Sequence, residues 1–210
     1  MSRRPYEQRL RAEAADETRE RILDALHDRL RETPDGRISV DEVARRARVA
    51  RSTVYLVFGS RSGLFDALTE RLLRGAGYDR IIEAVGDPDP RESLRGGIEG
   101  GVTMYAAHHE VLRVLNSMAT LDPSGVGEAI ARVEAQRAAG MARLAGRLDE
   151  HGLLRPGLTP ESAAHLIWIF AGFDAFDALA TGRGLAPDEV TDLLVQAAEH
   201  TLLAEPPGEG

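Results

Sequence analysis

The segment VARRARVARSTVYLVFGS, at residues 43–60, holds the side chains whose types and spacing most clearly suggest chemistry. Its arginines stand beside the hydroxyl pair Ser52 and Thr53 and beside Tyr55, on a short apolar repeat. A guanidinium group donates two hydrogen bonds to guanine, and a hydroxyl group can bond to several bases. The combination therefore indicates contact with the edges of base pairs in DNA.

Enzyme and metal chemistry have no comparable support in the sequence. The absence of cysteine excludes disulfides, thiolate metal sites and cysteine nucleophiles. His108 and His109 are adjacent, so they point to different faces of a helix, and no nearby spacing completes a metal site. No Gly-x-Ser-x-Gly elbow or phosphate-binding glycine loop occurs. We expect neither metal, cofactor nor enzymatic activity; an all-helical enzyme is the alternative from another class.

The charge of the chain is unevenly distributed. The formal net charge is −8, and every basic residue other than histidine is arginine. Residues 1–74 carry 16 arginines and 13 acidic residues, a net charge of +3, whereas the remainder carries 10 and 21, a net charge of −11. Such a division suggests that the first part meets a polyanion. The simplest interpretation of the preference for arginine is a composition bias of the source, although the planar guanidinium group also suits phosphates and guanines.

No segment has the pattern of a signal peptide or of a membrane-spanning helix. The first 20 residues contain no apolar stretch behind their charges, which argues against a signal peptide. The most apolar stretch, residues 163–180, carries His165, Asp174 and Asp177, which argues against a membrane span. We therefore expect a cytoplasmic protein that does not bind a membrane.

Apolar residues recur with helical spacing along nearly the whole chain, so the predicted fold class is all-α. The first helix, at residues 6–31, should bury Ile22, Leu23, Leu26 and Leu30 and end at the break Pro34–Gly36. Further helices are predicted from Ser39 to about Ala47, at 51–58, from about Ser60 onward, at 91–120 with an interruption at His108 and His109, at 126–150, at 161–180 and at 188–203.

The two short helices joined by a tight turn predict a helix-turn-helix. Helical spacing places Val43, Val49, Val54 and Phe58 in a core, and Arg51, Ser52, Tyr55 and Leu56 on the outer face. That outer face can enter a major groove, while Thr53, Tyr55 and Arg61 would reach phosphates. The predicted DNA contacts are Ser39, Arg48, Arg51, Ser52, Thr53, Tyr55, Leu56 and Arg61.

Several short motifs occur here in a fixed order: ILDA from residue 22, SVDEVARRA from 39, STVY from 52, FGSR from 58 and LFDAL from 64. Together they resemble the N-terminal domain of the TetR family of transcriptional regulators. The resemblance implies a three-helix DNA-binding domain, a fourth connecting helix and a larger helical domain that binds an effector and dimerises. The predicted domains are residues 1–60 for DNA binding, with 1–16 as an arm or extended first helix, 61–204 for effector binding and dimerisation, and 205–210 as a disordered tail.

Three residues depart from the family pattern. Arg48 stands in the turn where glycine is usual, Ala50 opens the second short helix where serine or threonine is common, and Val57 replaces a frequent phosphate-contacting residue. A left-handed arginine and a missing N-cap each cost about 1 kcal/mol. Arg48 either points its guanidinium at the DNA backbone or is simply solvated, and both interpretations remain open.

The N-terminal arm also has two interpretations. Its arginines, at positions 3, 4, 9 and 11, either enter a minor groove or belong to a mobile solvated tail.

The acidic second half is expected to dimerise and to bind an effector. The apolar helices within residues 161–203, paired with those of a second copy, would form a four-helix bundle. The resemblance implies an effector cavity between residues 91 and 180, although a residue of each candidate type is more often part of an ordinary core than of a ligand site. Asp174 and Asp177 would recognise a cationic ligand or pair with arginine across the dimer. The candidate lining residues are Met104, Tyr105, His108, Asn116, Met118, Trp168 and Phe173.

These expectations combine into one functional hypothesis. The sequence predicts a homodimeric regulator that binds a palindromic operator in double-stranded DNA, as a repressor released by a small molecule. The alternative within the same fold is an activator, or a regulator that responds to a protein partner.

Overall fold

The structure, a computed structural model, describes residues 3–32 and 38–205, with side chains from residue 12 onward. The predicted break at Pro34–Gly36 and the tail beyond residue 205 lie outside these described residues, and so do the side chains of the arginines of the N-terminal arm. Within them the chain forms helices and no β-strand, which confirms the all-α prediction. The helices are α1 (Arg3–Glu32), α2 (Val40–Arg46), α3 (Arg51–Phe58), α4 (Arg61–Leu73), α5 (Tyr78–Gly86), α6 (Pro90–Leu121), α7 (Glu128–Glu150), α8 (Pro160–Phe170), α9 (Phe173–Arg183) and α10 (Pro187–Leu202), with one π-helical turn at Pro123–Gly127.

The expected single helix at residues 161–180 is wrong, because the chain breaks between α8 and α9 at Ala171 and Gly172. The carbonyl oxygen of Ala171 accepts hydrogen bonds from the Tyr105 hydroxyl at 3.0 Å and from Arg137 Nη2 at 3.1 Å. These two donors satisfy a carbonyl group at the end of α8. The separate helix α5 was also not predicted, whereas the interruption of α6 is confirmed by non-helical angles at His108.

The chain divides into two compact units. The first contains the residues up to Arg71 together with Glu110–Ile130, and the second contains Leu72–His109 and the residues from Ala131 onward. Helix α6 therefore contributes its first part to the second unit and its last part to the first. The predicted functional boundary at residue 60 lies inside the first compact unit and stays a prediction.

The first unit is organised around α1. Its predicted stripe, Ile22, Leu23, Leu26 and Leu30, is fully buried. Helix α1 packs on α2, and α2 packs on α3. The ring centre of Phe58 in α3 also lies 5.4 Å from the Arg19 guanidinium carbon of α1, while Arg51, Ser52, Tyr55 and Leu56 of α3 are exposed.

In the second unit, α8, α9 and α10 pack on one another, and α5 lies close against α6. The close approach of α5 and α6 depends on glycine, because a Cβ atom at Gly100 would lie 2.7 Å from Ile81 Cγ1 and 2.9 Å from the Gly77 oxygen. Arg147 of α7 donates hydrogen bonds to the Ser93 hydroxyl and to backbone oxygens at the α5–α6 connection. These contacts join α5, α6 and α7 into one layer.

Candidate DNA-binding surface

Helix α2 begins at the predicted N-cap. The Ser39 hydroxyl accepts a hydrogen bond from the backbone N–H of Glu42 at 3.1 Å. The Glu42 carboxylate pairs with Arg29 of α1 at 2.5 Å and lies 3.7 Å from Arg46. Ser39 is exposed, as a DNA contact requires, but in this structure its hydroxyl already serves as a cap. Its main effect here is therefore to fix where α2 starts.

The turn between α2 and α3 places Arg48 in the left-handed region, with φ of 57°. Among the described residues it is the only non-glycine residue with positive φ. The Val49 N–H donates to the Ala44 oxygen at 3.0 Å, and the Arg48 N–H donates to the Arg45 oxygen at 3.2 Å. This pair of bonds is a Schellman motif, whose left-handed position favours glycine. The predicted strain at Arg48 is thus present, and its side chain is exposed.

Replacing Arg48 by glycine should raise the free energy of unfolding and weaken DNA binding at the same time. Glycine removes the left-handed penalty, a gain of about 0.5–1 kcal/mol after its greater freedom in the unfolded chain is included. It also removes an exposed positive charge next to α3, so affinity for duplex DNA should fall several-fold. Urea denaturation and fluorescence anisotropy with a labelled duplex measure the two effects.

Arg48→Ala is the matched control, because alanine removes the charge but retains the strained backbone. It should bind DNA as weakly as Arg48→Gly without the gain in stability. Wild-type affinity in both variants would show that Arg48 does not contact DNA.

Helix α3 separates an inner from an outer face, as its spacing predicts. Val54 is buried against α2, whereas Arg51, Ser52 and Tyr55 are exposed and Leu56 is 86% exposed. The other predicted contact on this helix, Thr53, is half-buried. The outer face therefore offers guanidinium, hydroxyl, phenol and aliphatic groups within two turns, which suits a major groove.

Arg51 has a fixed environment that the sequence did not indicate. Its Nη1 atom lies 2.7 Å from Asp41 Oδ2, and its Nη2 atom lies 3.4 Å from the Tyr55 hydroxyl. The guanidinium carbon also lies 5.5 Å from the centre of the Tyr55 ring. The Tyr55 hydroxyl and the charge of Asp41 raise the pKa of Arg51, so it remains a cation throughout the accessible pH range. Asp41 is a site residue that could have been found by placing the first turn of α2 beside the first turn of α3.

Arg61, predicted to reach a phosphate, is engaged inside the first unit. Its Nη1 atom forms an ion pair with Asp122, its Nη2 atom donates to the Ile38 oxygen at 3.3 Å, and its guanidinium carbon lies 5.0 Å from the centre of the Phe65 ring. A phosphate contact would require at least the pair with Asp122 to break. In this structure Arg61 instead holds the start of α4 to the end of α6.

Other arginines on α2 differ in their availability to phosphates. Arg46 pairs with Glu32 at 2.7 Å, and that contact raises the pKa of Arg46. Arg45 is exposed and, within the described part of the chain, makes no ion pair with an acidic residue. Adjacent arginines look alike in a sequence, so the difference between Arg45 and Arg46 could not be predicted.

The predicted effector residues divide between the two units. In the second unit, Met104 and Tyr105 are buried, and Tyr105 packs edge-on against Phe173 with ring centres 5.5 Å apart. Burial raises the pKa of the Tyr105 hydroxyl. His108 marks the kink of α6. Asn116 and Met118 belong to the first unit, where Asn116 Nδ2 donates to an oxygen of its own helix.

Asp177, one of the two acidic residues predicted to recognise a cation, lies 2.6 Å from His109 Nε2. Its Oδ1 atom also accepts a hydrogen bond from the Thr181 hydroxyl at 2.8 Å. Its neighbour on the same helix, Asp174, is exposed. Asp177 is therefore engaged within the second unit.

A groove of about 480 Å³ lies between α7 and α8 in the second unit. Trp168 is the one predicted effector residue that lines it. The Trp168 Nε1 atom donates to Glu134 at 2.9 Å, and the Arg137 guanidinium lies 5.7 Å from its ring, so the indole is held in place. The groove is lined by Ala138, Ala142, Pro160, Glu161, Ala164, His165 and Trp168.

The first unit and the whole chain both resemble known regulators. Residues 22–68 match the family model described as bacterial regulatory proteins, tetR family. The HTH-type transcriptional regulator EthR of Mycolicibacterium smegmatis is 31% identical over 105 residues, which make up 49% of this chain. The same residues amount to 48% of EthR, so the match spans about half the length of that relative.

Two solved structures share the fold over most of their length. NalD of Pseudomonas aeruginosa, the secondary repressor of the MexAB-OprM multidrug efflux pump, has a TM-score of 0.70 and 22% identity, over 91% of this chain and 98% of its own. The ketosteroid transcriptional regulator KstR2 of Mycobacterium tuberculosis has a TM-score of 0.64 and 18% identity, over 89% and 95%. The similarity therefore extends beyond the helix-turn-helix to the arrangement of the remaining helices.

Proposed function

Through its helix-turn-helix region this chain belongs to the tetR family of bacterial regulatory proteins, and on that premise we propose that it is a ligand-responsive repressor. It would act in the cytoplasm as a homodimer on a palindromic operator. A small molecule bound to the second unit would release it from DNA. The match to a family of regulators also favours a role without enzymatic activity.

The outer face of α3 is the observation that carries this proposal. Arg51, Ser52, Tyr55 and Leu56 are all exposed on a helix whose opposite side is buried on α2. Arg48 and Arg45 add exposed positive charge at the same end of the motif. Base-reading groups flanked by cations are what a major-groove reader needs.

Dimerisation is supported by apolar surface on the last helices. The segment Pro160–Arg183 has a mean hydropathy of 1.4 over its most apolar window, and only 22% of that window is buried. Length and composition alone would let this segment cross a membrane, but α8 and α9 are separate helices. Exposed apolar residues include Trp168 (39%) and Ile169 (51%) on α8 and Leu193 (45%) on α10. We propose that a second copy covers residues 161–203 of the first.

A two-fold dimer would present two α3 helices to successive major grooves, which explains why we expect a palindrome. An effector can shift this equilibrium only by the difference between its affinities for the two states of the dimer. Of the seven predicted lining residues, the five in the second unit carry the effector hypothesis: Met104, Tyr105, His108, Trp168 and Phe173. The groove beside Trp168 is large enough for a ligand of ordinary size, since such sites measure about 300–1,000 Å³.

The test begins with a library of random duplexes, from which the purified protein selects its preferred sequence. We expect a palindromic sequence bound by a particle of twice the 22.8 kDa chain mass. Arg51→Ala and Tyr55→Ala should each weaken binding by about 1–3 kcal/mol, or roughly 5- to 150-fold, because each removes a contact to DNA. Light scattering and anisotropy supply the two measurements.

Arg143→Ala is the matched control, because it removes an exposed arginine from α7 rather than from α3. It should leave affinity for the selected duplex unchanged. Failure to enrich any sequence would refute operator binding, and a monomer at micromolar concentration would refute the dimer.

A further inference from the structure

We infer that Asp41 determines the sequence specificity of the DNA-binding surface by orienting Arg51 toward guanine. The inference rests on the proposed DNA binding and adds to it a residue of α2 that would touch no base itself. In this inference Arg51 contacts the base and Asp41 positions Arg51.

The geometry holds the guanidinium group from two sides. Asp41 Oδ2 lies 2.7 Å from Nη1, while the Tyr55 hydroxyl lies 3.4 Å from Nη2 and the Tyr55 ring lies under the group. Asp41 stands in the first turn of α2, where the helix dipole stabilises a carboxylate. A long side chain that would otherwise sample many rotamers is thus restricted before DNA arrives.

The remaining hydrogen-bonding capacity of Arg51 suits guanine. A guanidinium group has five N–H donors, and the contacts to Asp41 and Tyr55 use one each. The other donors are sufficient for the two bonds that guanine accepts through its O6 and N7 atoms. Arg51 can therefore keep both protein contacts while it reads a base.

The same carboxylate also discourages contact with the wrong part of DNA. Both side chains are about half exposed, 49% for Asp41 and 56% for Arg51, so the pair contributes little to folding stability. The negative charge of Asp41 nonetheless offsets the positive charge of Arg51. It therefore weakens the attraction of Arg51 to phosphates, which carry no sequence information. Once DNA excludes water from the surface, the pair strengthens and fixes Arg51 more firmly.

Two replacements of Asp41 test this role. Asp41→Ala removes both the acceptor and the charge, whereas Asp41→Glu keeps both on a longer side chain. Asp28→Ala, on α1 and outside the contacts of Arg51, is the control for loss of an exposed carboxylate. Each variant is measured against the selected duplex and against a random-sequence duplex over a range of salt concentrations.

Asp41→Ala should lower the ratio of specific to non-specific affinity by about tenfold or more, the usual effect of losing one base contact. The affinity for the random-sequence duplex should rise. The slope of the logarithm of this binding constant against the logarithm of the salt concentration should become more negative by about 0.9, the value for one additional phosphate contact. Asp41→Glu should recover most of the ratio, and Asp28→Ala should retain all of it. In an Arg51→Ala background, Asp41→Ala should cause no further loss of specificity, because Asp41 acts only through Arg51.

Three results would overturn the inference. One is an unchanged specificity ratio and salt dependence in Asp41→Ala, and another is an equal loss of affinity for both duplexes. The third is an additive loss of specificity in the double variant. Each leaves operator binding itself intact, whereas failure of the wild-type protein to prefer any duplex refutes the proposed function first.

Discussion

Replacing Glu42 by glutamine should lower the free energy of unfolding of the first unit by about 2–3 kcal/mol. The Glu42 carboxylate pairs at 2.5 Å with Arg29, whose side chain is 7% exposed, and is itself 25% exposed. Glutamine keeps the shape but leaves the buried guanidinium facing a neutral group. Because this pair holds α1 to α2, and α2 supports α3, DNA binding should weaken as stability falls. Urea denaturation followed by circular dichroism measures the free energy of unfolding.

Glu32→Gln supplies the comparison. Glu32 also forms an ion pair, with Arg46 at 2.7 Å, but its side chain is 57% exposed. Water screens such a pair, so the change should cost at most about 1 kcal/mol. Equal effects of the two substitutions would mean that burial of Arg29 does not govern the strength of its pairing.

Replacing Gly100 by alanine should destabilise the second unit by about 2 kcal/mol, after the gain in helix propensity is subtracted. Two of the atoms that its Cβ would meet, the Gly77 oxygen at 2.9 Å and the Ile81 nitrogen at 3.0 Å, belong to the backbone of the α5 region and cannot rotate away. Helices α5 and α6 would have to separate. Trp168 is the only tryptophan and lies in the second unit, so its fluorescence reports this unfolding.

Gly97→Ala is the control on the same helix. A Cβ atom at Gly97 would meet nothing within 4 Å, so only the propensity gain of about 1 kcal/mol remains. The two substitutions should therefore shift the urea midpoint in opposite directions. A Gly100→Ala protein as stable as the wild type would show that α5 and α6 do not need their close approach.

Features that depend on neighbours in the sequence could be predicted. The cap at Ser39, the bounds of α3, the stripe of α1 and the left-handed angle at Arg48 all follow from spacing and turn chemistry within a few residues. The separation of the two faces of α3 follows from helical periodicity in the same way.

Features that depend on residues distant in the sequence could not be predicted from it. The carbonyl oxygen of Ala171, at the end of α8, accepts hydrogen bonds from Tyr105 and Arg137, which lie far earlier in the chain. Arg61 looks like a phosphate contact until Asp122, 61 residues later, is seen to pair with it. A sequence pattern indicates that a charged side chain is exposed or buried, but it does not indicate which opposite charge reaches it.

Leu56, the most exposed of the large apolar residues of α3, determines which group of a base the outer face could contact without a hydrogen bond. Its side chain has no hydrogen-bonding group, and the feature of the major groove that an aliphatic group recognises is the 5-methyl group of thymine. Cytosine methylated at its C5 atom presents the same methyl group at the corresponding place. On the proposed docking of α3 in a major groove, Leu56 would therefore meet the same methyl group on thymine and on methylated cytosine.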